Sequence, residues 1–169
     1  MERFWNTVYY FAYKFNYKLN YCFYKYSGLV KIYELPFVKR HFKKMEIDNP
    51  FENLLDAWKK PDIGLSSIFA GGLMYGLPVI FFSGLHFFFM SFIEKSKRFE
   101  YFQFIFLIYT LASFFFTYIY IFHKDKYIKY FNMFEKQSRQ WKIKWAWICW
   151  GVILLPFIVL IGSFISLLE

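Results

Sequence analysis

The stretch from Ile63 to Ile93, IGLSSIFAGGLMYGLPVIFFSGLHFFFMSFI, decides the fold. Its 31 residues contain no Asp, Glu, Lys or Arg between Asp62 and Glu94. At a helical rise of about 1.5 Å per residue it would be roughly 46 Å long, which is more than the ~30 Å hydrocarbon core of a bilayer requires. The stretch therefore predicts a membrane-spanning helix.

Two further apolar segments follow this stretch. The first, Tyr101 to Phe122, has no charged residue, and the second runs without charge from about Trp145 to Leu168. We predict an all-α, polytopic integral membrane protein with three transmembrane helices at about residues 63–93, 101–122 and 145–168. A cytoplasmic and interfacial helical region, residues 1–62, should precede this three-span domain, residues 63–168.

The composition supports a membrane protein and argues against several other classes. Hydrophobic residues make up 58% of the chain, above the roughly 45–50% of soluble domains. The net charge of +9 comes from basic residues between the apolar segments, where the positive-inside rule places them, so no nucleic-acid partner is expected. Cys22 and Cys149 have no metal-ligand spacing and should be free thiols.

Residues Glu2 to Tyr26 predict an N-terminal amphipathic helix. At 100° per residue, its basic side chains and one threonine fall within about 60° of each other. These residues are Arg3, Thr7, Lys14, Lys18 and Lys25. We expect the helix to lie on the cytoplasmic leaflet, with Lys14, Lys18 and Lys25 reaching anionic headgroups. Packing of the helix against protein, either its own spans or a partner, is the alternative.

The segment after this helix contains a break, a basic cluster and a helix start. Ser27-Gly28 should end the first helix, and Pro36 interrupts the next segment. The basic cluster could bind anionic headgroups, or it could be a solvated linker surface; it consists of Lys39, Arg40, His41, Lys43 and Lys44. A short helix near residues 49–60 is predicted, with Asn49 as N-cap and Pro50 in the first position.

Small residues in the first span predict a helix-packing face. Ser66 and Ala70, and then Gly72 and Gly76, recur at the four-residue spacing that lets helices approach closely in lipid. Pro78 removes one backbone hydrogen bond and should kink the span. We therefore expect assembly, either into a homo-oligomer or with a larger membrane-protein partner.

Polar side chains inside the spans are candidates for function. They are Tyr75, Ser83 and His86 in the first span and Thr110, Ser113 and Thr117 in the second. The three residues of the second span share one helix face, where each hydroxyl should bond a carbonyl of its own helix or of another. His86 is expected to be a neutral imidazole near the far interface, and a proton-relay or ion-binding role is the alternative.

The second loop and the distribution of charge predict the topology. Of the 21 Lys and Arg residues, eleven precede the first span, three lie in Glu94–Glu100, seven lie in His123–Lys144 and none follow the third span. This bias predicts a cytoplasmic N-terminus and an outside C-terminus, in the inner membrane of a bacterium. Within and just after the loop His123–Lys144, the pattern KYIKYFNMFEKQSRQWKIKW, residues 126–145, predicts a second interfacial amphipathic helix. Four tryptophans near the third span are typical of an interfacial aromatic belt; they are Trp141, Trp145, Trp147 and Trp150.

Catalytic and nucleotide-binding motifs are missing from the sequence. It contains no G-x-x-x-x-G-K-[ST], G-x-G-x-x-G, H-E-x-x-H or G-x-S-x-G. We expect no enzyme activity, cofactor or metal, and predict an accessory or scaffold subunit of a secretion, transport or defence complex. One alternative is a homo-oligomeric channel or membrane-perturbing effector with the intramembrane polar residues facing a lumen. Another is a lipid enzyme in which Arg40 and Lys43 hold a phosphate.

Overall fold

The computed structural model describes residues 1–47, 50–62, 64–92 and 102–168. The protein is 89% helical, and no strand occurs in these ranges, which confirms the predicted all-α class. The elements are α1 Glu2–Tyr26, α2 Leu29–Tyr33, α3 Pro36–Lys44, α4 Pro50–Lys59, α5 Leu65–Met90, α6 Phe102–Thr117, a π-helical turn Tyr118–Phe122, a 3-10 turn His123–Asp125, α7 Lys126–Glu135 and α8 Arg139–Leu168.

Three helical segments within the described ranges are long and apolar enough to cross a bilayer. They are Leu65–Met90, Phe102–Glu135 and Arg139–Leu167, with mean hydropathies of 1.7, 2.0 and 2.6. The predicted number of candidate spans is thus confirmed by length and composition. Residue 63 and the predicted loop Glu94–Glu100 lie outside the described residues.

The second interfacial helix predicted from the sequence is longer than the helix found there, α7. α7 covers only Lys126–Glu135, and the remainder of the loop from Arg139 onward belongs to α8, which thus starts before Trp145. The preceding helical run breaks at Lys124 and Asp125, whose φ values of 57° and 51° are left-handed. Such backbone cannot continue a right-handed helix, so α6 and α7 are separate elements.

The chain forms two compact units, which are described separately. The first comprises Met1–Phe11 and Gly71–Glu169, and the second comprises Ala12–Ala70. Because α1 and α5 each cross a unit boundary, both helices contribute to both units. The first eleven residues therefore belong with the apolar helices, whereas the predicted division groups them with the rest of residues 1–62.

The second unit contains the short helices. α1 ends at Tyr26, and Gly28 has a φ of 74°, a left-handed conformation that glycine adopts without steric cost. The predicted break at Ser27-Gly28 is confirmed. The basic cluster, predicted as part of a linker, lies on α3, which begins at Pro36. Proline is favoured in the first turn because its missing N–H has no helical partner there.

The predicted helix near residues 49–60 is present as α4. It begins at Pro50, as expected, while the proposed N-cap Asn49 lies outside the described residues. The Tyr13 hydroxyl donates a hydrogen bond to the Lys59 carbonyl, which joins α1 to the end of α4. The Ser67 hydroxyl donates to the Pro61 carbonyl at 2.5 Å, which fixes the start of α5.

Within the first unit, α5 and α8 meet at Gly84. A Cβ atom placed on Gly84 would lie 2.9 Å from the Leu160 backbone nitrogen and 3.0 Å from its Cα. A glycine is therefore required for the two backbones to approach this closely. This contact fixes the mutual position of the two helices that carry Pro78 and Pro156.

The start of α1 is also part of the first unit. Five consecutive residues, Asn6 to Tyr10, are at most 2% exposed, so every face of this stretch is covered. The Tyr9 ring lies 5.7 Å from the Phe122 and Phe131 rings. Here the helix packs on its own chain, which is the alternative to an interfacial position. For the part of α1 after Phe11, the interfacial position stays a prediction.

Candidate functional site

Pro78 leaves a backbone carbonyl of α5 without its helical donor. In an α-helix the N–H of residue 78 would bond the carbonyl of residue 74, and proline has no N–H. The Thr117 hydroxyl of α6 donates to the Met74 carbonyl at 3.1 Å, and both residues are fully buried. A side chain of the neighbouring helix thus supplies the hydrogen bond that Pro78 removes.

The other two hydroxyls of α6 bond different kinds of carbonyl: one belongs to another helix and one to α6 itself. Ser113 donates to the Tyr75 carbonyl at 2.5 Å, next to the Thr117 bond. Thr110 bonds its own helix instead, at the Phe106 carbonyl. Ser113 and Thr117 therefore fix the position of α6 on α5. Thr110 is exposed, and among the described residues its hydroxyl bonds within its own helix.

The Tyr75 side chain is held by aromatic stacking. Its ring lies nearly parallel to the rings of Phe114 and Phe122, with centroid distances of 5.0 and 5.7 Å. Offset stacking of this kind stabilises buried aromatic rings beyond the area that they cover. Together with the Ser113 and Thr117 bonds, these contacts join α5 to α6 and to the π-helical turn around Pro78.

A cleft of about 510 Å³ lies beside this region, between α5, α6 and α8. We call it the α5–α6–α8 cleft. Its lining includes Gly76, Ser83 and Phe87 of α5, Phe102 and Thr110 of α6, and Leu160 of α8. The volume falls within the range of about 300–1,000 Å³ that is typical of small-ligand sites. Because the lining is almost entirely hydrocarbon, a matching ligand is apolar over most of its surface.

Ser83 and His86 lie one turn apart on α5 and are 6% and 8% exposed. Within the part of the chain that the structure describes, neither Ser83 Oγ nor His86 Nε2 has a hydrogen-bond partner. The His86 ring packs instead near Phe102, at a centroid distance of 5.6 Å. A buried polar atom without a partner costs about 1–3 kcal/mol, so this pair retains unused hydrogen-bonding capacity.

The predicted packing face divides into two parts. Ser66 and Ala70 are fully buried. A Cβ atom on Gly72 or on Gly76 would meet nothing within 4 Å, so neither glycine serves a close contact inside the described chain. The close approach between helices occurs at Gly84, which the four-residue pattern does not select.

The first turns of α1 hold the π-helical turn after α6. Asn6 donates to the Tyr120 carbonyl at 2.8 Å. Lys126 donates to the Ile119 carbonyl at 3.1 Å and forms an ion pair with Glu2 at 2.8 Å. A π-helical turn departs from α-helical hydrogen bonding, and these two side chains bond carbonyls within it.

Low pH should weaken the ion pair between Glu2 and Lys126, and with it the contact between the start of α1 and the π-helical turn. The hydrogen bond from Lys126 holds the pKa of the Glu2 carboxyl below its ordinary value of 4.5; burial acts in the opposite direction, and the Tyr130 hydroxyl lowers the pKa further. Because the pKa of Glu2 is lower in the folded state than in the unfolded state, its carboxylate stabilises the fold above pH 4.5. This stabilisation is lost as the pH falls through the folded-state pKa. We expect Glu2→Gln to lower the free energy of unfolding by about 0.2–1 kcal/mol at pH 7.

Denaturant unfolding between pH 7 and pH 3 measures this effect. The difference between wild type and Glu2→Gln should shrink below pH 4.5, because the wild-type carboxyl is then becoming protonated. The matched control is Glu34→Gln, which removes an exposed carboxyl in the second unit. A difference between wild type and Glu2→Gln that does not change with pH would contradict the role of the ion pair.

The predicted headgroup-binding residues lie mostly at the surface. Lys14 is half-buried on α1, and the others are exposed, namely Lys18, Lys25, Lys39, Arg40, Lys43 and Lys44. On α3 the exposed Phe37 adjoins the basic residues, so apolar and basic side chains share one short helix. That combination suits a bilayer surface.

The described residues contain no group of three or more His, Cys, Asp or Glu side chains placed to hold a metal ion. Both cysteines are free, with Cys22 exposed and Cys149 buried.

Comparison of the chain with protein-family models, with curated proteins and with solved structures found no match. Its function is therefore inferred from its own geometry.

Two site residues are missed by sequence reasoning. Gly84 lies eight positions after Gly76, which places it about 80° from Gly76 around the helix at 100° per residue. Asn6 lies in a stretch without charge between Arg3 and Lys14, a signal that this part of α1 is buried. The sequence shows these two features, but it does not identify the element that Gly84 or Asn6 contacts.

Proposed function

We propose that this chain is an integral membrane protein that acts as a non-enzymatic accessory or scaffold subunit of a larger membrane complex. The proposed location is the inner membrane of a bacterium, with a cytoplasmic N-terminus and the C-terminus outside. The charge bias supports this orientation, since seven Lys or Arg residues lie in the loop before the third span and none follow the span. Secretion, transport or defence is the proposed process.

Exposed apolar surface supports insertion into a membrane. Only 33% of the most apolar window of α5, and 17% of the windows in the other two candidate spans, is buried within the chain. Large side chains such as Phe104, Phe115 and Ile158 are more than 60% exposed. Soluble proteins rarely expose large contiguous apolar patches to water, so we expect lipid or a partner to cover these side chains.

The open glycines of α5 are the observation that carries the subunit proposal. Gly72 and Gly76 lie on an apolar helix, and a Cβ atom added to either of them would have no neighbouring atom within 4 Å. Small residues at four-residue spacing let a second helix approach closely, where dispersion contacts drive association in lipid. The Gly72 end of this surface, which lies outside the α5–α6–α8 cleft, therefore suits a helix of another chain.

The basic cytoplasmic surface supports contact with anionic lipid. Lys18 and Lys25 of α1 and the basic residues of α3 are exposed. Near an anionic membrane each such residue contributes about 1 kcal/mol of attraction. In the proposed orientation these residues all lie on the cytoplasmic side, so they would anchor the second unit to the inner leaflet.

Affinity purification in mild detergent tests the subunit proposal. Wild-type protein should migrate as an assembly with stoichiometric larger partners identified by mass spectrometry. Gly72→Leu should reduce the amount of that assembly about fivefold or more, a loss of about 1 kcal/mol of association free energy, because leucine fills the space that the partner helix needs. Gly151→Leu is the matched control, since a Cβ on Gly151 of α8 also meets nothing within 4 Å. An assembly unchanged by Gly72→Leu would contradict the proposal.

A homo-oligomeric channel or membrane-perturbing effector is the alternative proposal. It requires intramembrane polar side chains to face a lumen. The hydroxyls of Ser113 and Thr117 instead donate to carbonyls of α5, which favours the subunit. A ring of identical copies without another partner, together with ion leak in planar bilayers, would support the channel.

A further inference from the structure

The α5–α6–α8 cleft has the dimensions of a lipid chain. On α5 its lining extends from Tyr75 to Phe87, a rise of about 18 Å at 1.5 Å per residue. One leaflet contributes half of the ~30 Å hydrocarbon core, which is about 15 Å. The length of the cleft is thus similar to the hydrocarbon thickness of one leaflet, which an acyl chain spans.

The polar residues that line the cleft are Ser83 toward one end and Tyr75 and Thr110 toward the other. Ser83 lines the cleft near its Phe87 end, and His86 follows one turn later. Their Oγ and Nε2 atoms are buried without a hydrogen-bond partner among the described residues. Toward the other end, the Thr110 hydroxyl already donates to the Phe106 carbonyl. Ser83 therefore offers a ligand an unused hydrogen-bond donor toward the end of α5 that leads to Met90.

We propose that the α5–α6–α8 cleft binds one acyl chain of a membrane phospholipid. Its ester carbonyl accepts a hydrogen bond from Ser83 Oγ, and the chain runs from there along α5 to Tyr75, a rise of about 12 Å. The lipid comes from the leaflet at the Met90 end of α5, which is the outer leaflet in the proposed orientation. The inference rests on the proposed membrane location but not on the proposed partner.

Gly76 and Thr110 give two independent ways to fill the cleft. Both line it, and a Cβ on Gly76 enters open space, so Gly76→Leu places a side chain where the acyl chain would lie. Thr110→Phe fills the cleft from α6. The matched controls are Gly151→Leu on α8, where a Cβ also enters open space, and Leu111→Phe on α6, where the side chain is 61% exposed. Neither residue is part of the lining.

Native mass spectrometry of the delipidated full chain, titrated with dioleoyl phosphatidylglycerol in detergent, tests the site. We expect one retained phospholipid per chain in wild type and in both controls. Gly76→Leu and Thr110→Phe should each weaken retention about tenfold or more. Retention equal to wild type in both filled variants would overturn the proposal, as would uniform binding of several lipids with no first saturable site.

The ester contact has its own test. The diether analogue of the same lipid lacks the carbonyl, so it should bind wild type about two- to tenfold more weakly, as expected for one lost hydrogen bond. Ser83→Ala should bind both lipids equally. Equal binding of ester and ether lipid by wild type would overturn the assignment of Ser83.

Vesicle flotation separates failure of this inference from failure of the proposed function. Flotation with phosphatidylglycerol vesicles but no retained lipid would overturn only the cleft assignment. Failure to float would contradict the membrane location and both proposals with it. A retained lipid without a protein partner would support the cleft and contradict only the subunit proposal.

Discussion

Replacing Gly84 with leucine should separate α5 from α8 and cause a large loss of stability. Even the first added carbon would lie 2.9 Å from the backbone nitrogen of Leu160, and a backbone atom cannot rotate away as a side chain can. Overpacking of this kind typically costs about 1–3 kcal/mol, occasionally more. Leucine adds three carbons beyond Cβ, so we expect the upper end of that range.

Unfolding in mixed detergent micelles, followed by circular dichroism, measures this loss. Gly84→Ala should show an intermediate effect, because it introduces the clash of the Cβ alone. Gly151→Leu on α8 should unfold like wild type, since its Cβ position is open. Equal stability of Gly84→Leu and Gly151→Leu would contradict the close contact of the two helices.

Replacing Thr117 with valine should lower the free energy of unfolding by about 1–3 kcal/mol, the cost of a buried carbonyl left without a donor. Valine keeps the shape of threonine, so the Met74 carbonyl loses only the hydroxyl that bonds it at 3.1 Å. Thr110→Val is the matched control on the same helix, because the Thr110 hydroxyl is exposed and bonds within its own helix. We expect it to have almost no effect.

A double-mutant cycle with Pro78→Ala tests the cause of this loss. Alanine restores the N–H that can bond the Met74 carbonyl, so Thr117→Val should cost about half as much or less in the Pro78→Ala background as in wild type. The same detergent unfolding experiment provides all four values. An identical cost in both backgrounds would show that Thr117 does not replace the bond removed by Pro78.

The apolar helices can be predicted because length and lack of charge are local properties. The prediction of a first span over residues 63–93 corresponds to the helix Leu65–Met90. The predicted third span begins later than α8 because Lys142 and Lys144 end the uncharged segment, whereas the helix itself begins at Arg139. Charge sets where a span meets water but does not stop a helix from extending beyond the membrane.

The packing inside the first unit cannot be predicted in the same way. α5 is apolar on all sides, so periodicity does not tell which face contacts another helix. The sequence contains several candidate glycines, and only the register between α5 and α8 selects Gly84 rather than Gly72. Pro78 does predict an unbonded carbonyl, but the choice of Thr117 as its donor depends on the register between α5 and α6.

The start of α1 illustrates a different limit. The helical wheel places Thr7 on the polar face with Arg3, yet Thr7 is 1% exposed, and its hydroxyl donates to the Arg3 carbonyl at 2.7 Å. Amphipathic periodicity averages over a whole helix, whereas burial here changes along it. Residues from Asn6 up to Tyr13 are largely covered, while Phe15, Leu19 and Phe23 are exposed.

The bond between Asn6 and the Tyr120 carbonyl joins residues 114 positions apart. Since a ribosome adds about 5–20 residues per second, roughly 6–23 s separate the synthesis of these two residues. During that interval the aromatic start of α1 has none of its final neighbours from residues 116 to 145. Completion of the first unit is therefore a late event in synthesis, and until then the start of α1 lacks the side chains that cover it in the folded protein.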